Sequence, residues 1–291
     1  MYNQLIVNCK FHGIRFDLPK ASIGEYGSIG NDLIYNRDFY RQQLLGRVER
    51  FFENRGYRCL APAWPYKIAP SEELRNSHPD PAIATTRLVD LLDYFTTIIN
   101  ALPEKPILIG HSLGGLIVQL LLQRGFGIAG VAMHSFPPLG LGYKLSFLKT
   151  VWKTAGLFSS RKRSYMISFE TWRYTIANEM SFEQRKELYY LYAIPESRQV
   201  MLDIFRSVAG IDFGNAHPPL LFTSGGRDRL IPAELNYRNY KKYRIRNSIA
   251  HYKEFKDRNH LVFGYPAWRE DADFIFGWLE GINGNAFFNI Q

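Results

Sequence analysis

The sequence predicts an α/β fold in which a mainly parallel central sheet is covered by helices on both faces. Short apolar runs of strand length alternate along the chain with longer segments in which apolar residues recur at helical spacing. Several strand-like runs, such as residues 106–110, are apolar throughout, which is typical of strands buried on both faces. With 291 residues, of which 46% are hydrophobic, the chain can fill the core of one large domain.

The first predicted elements are two strands, a loop and a helix. Residues 4–8 and 13–18 predict short strands that are joined in a hairpin. A loop rich in glycine and polar residues follows, and then a helix that ends at Gly56. The apolar face of this helix comprises Leu44, Val48, Phe51 and Phe52. Residues 57–62 predict the next strand, which runs into a Pro-rich loop.

Two helices and two strands are predicted in the middle of the chain. The apolar face of the first helix comprises Leu88, Leu91, Leu92, Phe95 and Ile99. Residues 105–110 predict a strand, and residues 113–124 predict a helix that is apolar nearly all round, as expected for a buried helix. Residues 130–135 predict the strand that follows it.

Residues 137–215 interrupt this alternation. The segment is rich in aromatic residues and mostly helical in pattern, and we interpret it as a helical insertion that forms a cap or lid above one edge of the sheet. The elements predicted after it are a strand at 219–226, a helix at 233–243, a strand at 250–255 and a helix that carries Trp268, Ala272, Ile275 and Leu279. The expected organisation is therefore a core at 1–136 and 216–283, the insertion at 137–215, and a C-terminal tail at 284–291.

Composition excludes several classes of protein. The net charge is +9, but no nucleic-acid-binding module accompanies the basic clusters, so we expect no nucleic-acid partner. No apolar run is long enough for a membrane span, and the first residues do not resemble a signal peptide. We therefore expect a cytoplasmic protein, or one whose export signal is not part of this sequence. The two cysteines have no motif spacing and predict no disulfide framework.

The clearest chemical signal is the Gly-x-Ser-x-Gly motif centred on Ser112. It lies between a predicted strand and a predicted helix, which is the order that a nucleophile elbow requires. The tight turn needs residues without bulk two positions away on either side, and these are Gly110 and Gly114. The helix would direct its positive end and the N–H of Leu113 at an oxyanion. Ser112 is thus the predicted nucleophile and Leu113 a predicted oxyanion donor.

A serine nucleophile needs a base, and the base needs a carboxylate that orients it. Asp228 follows one predicted strand and His260 follows the next, so the chain order is Ser, Asp, His. Glu254 and Asp257 are less well placed, since the first lies within a strand and the second is only three residues from His260. His134 falls in a predicted strand and is interpreted as a satisfied core histidine. The histidine spacings match no metal motif, and no phosphate loop or dinucleotide fingerprint is present, so we expect neither metal nor cofactor.

With these residues the chain resembles the α/β-hydrolase superfamily. The matching motifs are GHSLGG at 110–115, GRD at 226–228 with Pro232, and Asn259 with His260. The stretches GYRCLAPAWP, EKPILIGHSLGGLIVQLLL, GVAMHSFPP and YKEFKDRNHLVFG are similar to a group of bacterial α/β hydrolases of unassigned substrate. The resemblance covers residues 46–280. It implies Ser112 as nucleophile, His260 as general base and then acid, and Asp228 as the residue that orients His260.

The expected function is that of a serine hydrolase, esterase-like or lipase-like, that cleaves a small-molecule carboxylic ester or related acyl compound through an acyl-enzyme. The aromatic insertion favours an apolar or aromatic acyl group. One alternative uses the same three residues for acyl transfer, amide hydrolysis or C–C bond cleavage. Another is a catalytically weak ligand-binding or sensor protein.

The N-terminal 45 residues motivate the sensor alternative, because they do not show where the second oxyanion donor lies. A turn at residues 27–30 is one possibility, and a rearranged N-terminal segment is the other.

Overall fold

The computed structural model describes residues 4–10, 44–143, 145–154, 163–243, 248–264 and 266–283. The predicted strand at 13–18, the turn at 27–30 and the C-terminal tail at 284–291 lie outside the described residues. In the part of the chain that is described, no helix combines the length and the hydrophobicity that crossing a bilayer requires.

A six-stranded sheet forms the centre of the described fold. Its strands are β1 (Gln4–Lys10), β2 (Tyr57–Leu60), β3 (Ile107–His111), β4 (Ala129–Met133), β5 (Leu220–Gly225) and β6 (Ala250–Phe255). Their spatial order is β2-β1-β3-β4-β5-β6. The strands β3 to β6 pair in parallel, and β1 is antiparallel to both β2 and β3, so β2 shares the direction of the others. The predicted mainly parallel sheet is confirmed.

The strand β1, the first strand of the predicted hairpin, pairs with two strands that are distant in sequence. It pairs on one side with β2, where Val7 lies opposite Leu60, and on the other side with β3, where Gln4 lies opposite His111. It is therefore an interior strand, and its neighbours in the sheet come from distant parts of the chain. The pairing of residues 13–18, the second strand of the predicted hairpin, stays a prediction.

Helices cover both faces of the sheet. They are α1 (Leu44–Glu53), α2 (Ser71–Asn76), α3 (Pro81–Thr85), α4 (Leu88–Asn100), α5 (Leu113–Gln123), α6 (Leu145–Thr154), α7 (Phe169–Thr175), α8 (Phe182–Tyr192), α9 (Arg198–Asp203), α10 (Ala233–Lys242) and α11 (Trp268–Asn283). Every residue of β3, β4 and β5 is buried. Since successive side chains of a strand point to opposite faces, both faces of these strands are covered. Helix α5 packs on β3 and β4, and α10 packs on β5 and β6.

The chain between β4 and β5 forms α6, α7, α8 and α9, in agreement with the helical pattern predicted there. Its aromatic side chains pack largely on one another. The ring of Tyr189 lies 5.4 Å from that of Phe169 and 5.8 Å from that of Trp172, and Trp172 is fully buried. These aromatic residues are thus the core of the segment itself. The exact division of the chain at 137 and 215 stays a prediction.

Buried polar contacts join this segment to the rest of the fold. The guanidinium of Arg87, which precedes α4, donates twice to the Asp203 carboxylate, at 2.7 and 2.6 Å. The backbone N–H of Leu88 also donates to Asp203, at 3.1 Å. A second pair joins Lys67 to Glu196. The segment is therefore fixed to α4 and to the loop after β2.

Candidate active site

The backbone at Ser112 has the conformation of a sharp strand-to-helix turn. Ser112 follows β3 and precedes α5, with φ +58° and ψ −118°, a region that L-residues rarely adopt. Its N–H donates to the carbonyl of Met133 at 2.9 Å, and its carbonyl accepts from the N–H of Phe136 at 3.0 Å. Hydrogen bonds from the end of the neighbouring strand thus hold the strained residue in place.

Close approach of the backbone explains two glycines of the motif. A Cβ atom on Gly110 would lie closer than 3.0 Å to the backbone carbonyl of Gly114. A Cβ atom on Gly115 would lie 2.8 Å from the Cβ of Ser135. Both distances are shorter than real carbon contacts allow, so the helix can start this close to the sheet only with glycine at these positions.

The structure brings the three predicted side chains into one hydrogen-bonded series. Ser112 Oγ lies 3.1 Å from His260 Nε2, and His260 Nδ1 lies 2.7 Å from Asp228 Oδ2. Ser112 and His260 are fully buried and Asp228 is 6% exposed. Ser112 comes from the turn after β3, Asp228 from the loop after β5 and His260 from the loop after β6, so three strand ends at one edge of the sheet supply the site.

Four N–H groups surround the carboxylate of Asp228. Its Oδ1 accepts from the backbone N–H groups of Leu230 at 2.9 Å and Ile231 at 2.8 Å. Its Oδ2 faces Nδ1 of His260 and also Nδ1 of His134, at 3.0 Å. Because an ionised carboxylate only accepts, we assign a proton to both Nδ1 atoms. The lone pair of His260 Nε2 then faces the Ser112 hydroxyl.

These contacts also set the charge of Asp228. Burial opposes the charged form, but the charge interaction with His260 and the hydrogen bonds from His134 and His260 outweigh it. Together they hold the pKa of Asp228 well below its ordinary value of 3.8. The carboxylate is therefore ionised at neutral pH and is the acceptor that the two imidazoles require.

The contact of His134 with Asp228 was not predicted from the sequence. It is fully buried, as a core histidine would be, but its Nδ1 faces Asp228 and its Nε2 has no hydrogen-bond partner among the described residues. It directly follows β4, so it lies at the same sheet edge as Ser112, Asp228 and His260. That position, one residue beyond the end of a parallel strand, is the signal that could have identified it.

The rival carboxylates lie elsewhere. Asp257 pairs with Arg227 at 3.1 Å, and its side chain is 70% exposed. Glu254 lies on β6 and approaches the hydroxyl of Tyr252 at 3.4 Å. Asp228 is thus the carboxylate that contacts His260.

Three buried histidines meet at this edge and could in principle hold a metal ion. His111, His134 and His260 each offer a nitrogen within 4.8 Å of the others. However, the two ring nitrogens of His260 face Ser112 and Asp228, and Nε2 of His111 lies 2.8 Å from the carbonyl of His260. Metal ligation by His260 would break one of its contacts. The geometry therefore favours a proton-transfer site over a metal site.

Leu113 is the first residue of α5, directly after Ser112. The positive end of this helix lies at the serine, where it favours a negative charge that develops nearby. Residues 27–30, the predicted turn for a second oxyanion donor, lie outside the described residues.

The segment between β4 and β5 contacts two of the loops that carry the site. Asn178 donates from Nδ2 to the carbonyl of Arg227 at 2.9 Å, next to Asp228. The carbonyl of Asn178 accepts from Asn259 Nδ2 at 2.7 Å, next to His260. Asn178 thus ties this segment to the loops of Asp228 and His260.

Comparisons with known proteins identify the family and similar folds. A model of the alpha/beta hydrolase family matches residues 28–272. A monoacylglycerol lipase from Paleococcus ferrophilus has a similar structure, with a TM-score of 0.55, 18% identity, and coverage of 84% of this chain and 89% of that one. Tomato methylketone synthase I in complex with 2-tridecanone gives a TM-score of 0.58 at 13% identity, covering 81% and 92%.

A third similar structure is polyneuridine aldehyde esterase, with a TM-score of 0.55, 14% identity, and coverage of 80% of this chain and 92% of that one. No curated protein matches the chain. At these identities the structures establish the shared fold alone.

Proposed function

The chain belongs to the alpha/beta hydrolase family, and we propose that it is a serine hydrolase that cleaves a carboxylic ester or a related acyl compound. The observation that carries this proposal is the contact series from Ser112 Oγ to His260 Nε2 at 3.1 Å and from His260 Nδ1 to Asp228 Oδ2 at 2.7 Å. A hydroxyl, an imidazole and a buried carboxylate in this order form a Ser-His-Asp triad.

In the proposed reaction, Ser112 Oγ attacks the substrate carbonyl carbon while its proton moves to Nε2 of His260. Asp228 accepts the Nδ1–H of His260, keeps the imidazole in the required tautomer and stabilises the imidazolium that forms. The carbonyl oxygen becomes negative, and the N–H of Leu113 at the start of α5 is the first donor to it. His260 then protonates the alcohol that leaves, and the acyl group stays on Ser112.

The second half of the reaction releases the acyl group. A water molecule gives its proton to His260 Nε2 and attacks the acyl carbon, and His260 returns the proton to Ser112 Oγ. The products are a carboxylic acid and a free serine. No cofactor takes part in either half.

We propose an apolar or aromatic acyl group for the substrate, on the ground of the aromatic composition of the segment at 137–215. The names of two similar proteins, a monoacylglycerol lipase and polyneuridine aldehyde esterase, support an ester bond as the target.

We assign the segment at 137–215 the role of a cap over the site. Its contacts through Asn178 to the loops of Asp228 and His260 support this role. Because Ser112 and His260 are fully buried, a substrate reaches them only when covering groups move aside.

Labelling with a fluorophosphonate probe tests the proposal. The wild-type protein should form a covalent adduct at Ser112, and the Ser112→Ala variant should form none. Turnover of p-nitrophenyl esters should fall about 10⁶-fold in the same variant, as expected for loss of a triad nucleophile. The control is Ser135→Ala, which removes a buried hydroxyl close to Gly115 and should keep the label.

A folded wild-type protein that neither reacts with the probe nor turns over activated esters would contradict the proposal. Labelling that persists in Ser112→Ala would contradict the assignment of the nucleophile. Product analysis with an added alcohol acceptor separates hydrolysis from acyl transfer.

A further inference from the structure

We propose that His134 is a positioning residue of the Ser112–His260–Asp228 triad. His134 shares the Asp228 carboxylate with His260, and its hydrogen bond weakens the interaction of that carboxylate with the Nδ1–H of His260. The inference rests on the proposed function, since it concerns the same site. If the inference holds, four residues rather than three determine how readily His260 accepts the proton of Ser112.

The first support is the oxygen that the two histidines share. His260 Nδ1 lies 2.7 Å and His134 Nδ1 lies 3.0 Å from the same atom, Asp228 Oδ2. The other oxygen, Oδ1, already accepts from the N–H groups of Leu230 and Ile231. With both oxygens occupied, the carboxylate cannot rotate without breaking a hydrogen bond, and the negative charge that faces His260 is divided between two donors.

The second support is the state of the other ring nitrogen of His134. Nε2 is buried and has no hydrogen-bond partner in the described part of the chain. Nδ1 is therefore the ring nitrogen through which His134 makes its contact in the described structure, and the groups that face it around the shared carboxylate are Asp228, His260 and His111.

The third support is the way in which the fold makes room for this ring. The N–H of His134 donates to the carbonyl of Thr223 on β5 at 2.8 Å, and the residue has a φ of +43°. A Cβ atom on Gly225, at the end of β5, would lie 2.7 Å from Cε1 of the His134 ring. The backbone carbonyl of Arg258 would lie closer still, so glycine is required here by the loop after β6 as well as by the imidazole beside Asp228.

The consequence concerns proton transfer. When His260 takes the proton of Ser112, Asp228 Oδ2 stabilises the imidazolium. The same oxygen also accepts the hydrogen bond from His134. Without the His134 donor, Oδ2 would interact more strongly with the Nδ1–H of His260 and with the imidazolium that forms during the reaction. The carboxylate would also lose one of the groups that fix its orientation.

Two variants separate the hydrogen bond from the bulk of the side chain. His134→Leu removes the donor and keeps an apolar side chain of moderate size. His134→Asn keeps an N–H near the position of Nδ1, and Asn tolerates the positive φ of this site. The pH dependence of kcat/KM for a p-nitrophenyl ester is the activity readout. One-dimensional proton NMR of the imidazole Nδ1–H groups, which resonate far downfield when bound to a carboxylate, is the readout that does not depend on activity.

The expected result is an upward shift of the acidic limb of kcat/KM by about one pH unit in His134→Leu. His134→Asn should restore the wild-type limb. The NMR spectrum of the Leu variant should lose one downfield resonance, and the remaining one, from His260, should move further downfield.

A folded His134→Leu variant with an unchanged acidic limb and an unchanged His260 resonance would overturn the inference and leave His134 as a core residue. If the resonance moves but no ester is turned over, the proposed hydrolase function fails while the effect of His134 on His260 stands. If the Leu variant does not fold, His134→Gln replaces it, because its amide reaches toward the position of Nε2 instead of Nδ1. Equal acidic limbs in the Asn and Gln variants would then overturn the inference.

Discussion

Gly110→Ala tests the geometry of the turn that carries Ser112. The added Cβ would lie closer than 3.0 Å to the backbone carbonyl of Gly114 and 2.8 Å from Cγ2 of Val118. Since the first contact is with backbone at the start of α5, no rotation of a side chain can relieve it. The strand and the helix must separate by about 1 Å to restore ordinary contact distances. Overpacking of this kind costs about 3 kcal/mol of unfolding free energy.

The same displacement should reduce reactivity more than it reduces stability. It moves the start of α5, and with it Ser112 Oγ and the N–H of Leu113, relative to His260. A misplacement of about 1 Å in a catalytic group costs about 100-fold in rate. We therefore expect the rate of fluorophosphonate labelling of Gly110→Ala to fall about 100-fold under conditions in which the variant is still folded.

Urea unfolding followed by tryptophan fluorescence measures the stability change, and Gly277→Ala is the matched control. Gly277 is exposed on α11 and has open space where a Cβ would be. Alanine there should raise the unfolding free energy by about 0.5–1 kcal/mol, because glycine is a poor helix former. If Gly110→Ala behaves like this control, with stability and labelling preserved, the close contact of β3 with α5 described above is wrong.

Two further predictions concern buried carboxylates. Asp203→Ala leaves the buried N–H of Leu88 without its acceptor and removes the partner of the half-exposed Arg87. Urea unfolding should therefore show a loss of about 1–3 kcal/mol of unfolding free energy, with Asp93→Ala, at an exposed position, as the control. A loss below about 0.3 kcal/mol would contradict the role of the Arg87–Asp203 pair in holding α9 to α4. Since the pKa of Asp228 is lower in the folded state than its ordinary value of 3.8, the unfolded state binds more protons below that pH, and stability should fall as the pH drops through this region. Asp228→Asn should show a shallower decline of the unfolding free energy below pH 3.8; equal slopes in the two proteins would refute the depressed pKa.

The elements around Ser112 were predictable because local sequence decides them. A strand that is apolar on both faces, a turn with glycines where side chains would collide, and an apolar helix occupy consecutive positions from Ile107 to Gln123. The pairing of Asp228 with His260 was predictable for a related reason. In a parallel sheet the carboxyl ends of the strands share one edge, so residues that follow successive strands come together even when they are distant in sequence.

The place of β1 in the sheet could not be predicted in this way. The residues of the strand show an extended apolar pattern, but its neighbours β2 and β3 lie dozens of residues away in the chain. Its antiparallel direction brings its first residue, Gln4, beside His111 at the edge where Ser112 lies. Turn residues near residue 10 do not determine which strands pair with β1 or in which direction, because the free energy of pairing comes from the packed sheet as a whole.

For His134, the local sequence pattern and the position at the sheet edge give different information. Viewed alone, a histidine after an apolar run indicates a buried core residue, and the burial is correct. Viewed as the residue after β4, it occupies the same kind of position as Ser112 after β3, and the end of the neighbouring β5 leads to Asp228. Polar residues just beyond the carboxyl end of any strand in such a sheet are therefore candidates for the site, whether or not a motif includes them. The strand predicted at 130–135 included His134, so the rule selects this residue only once the end of β4 at Met133 is known.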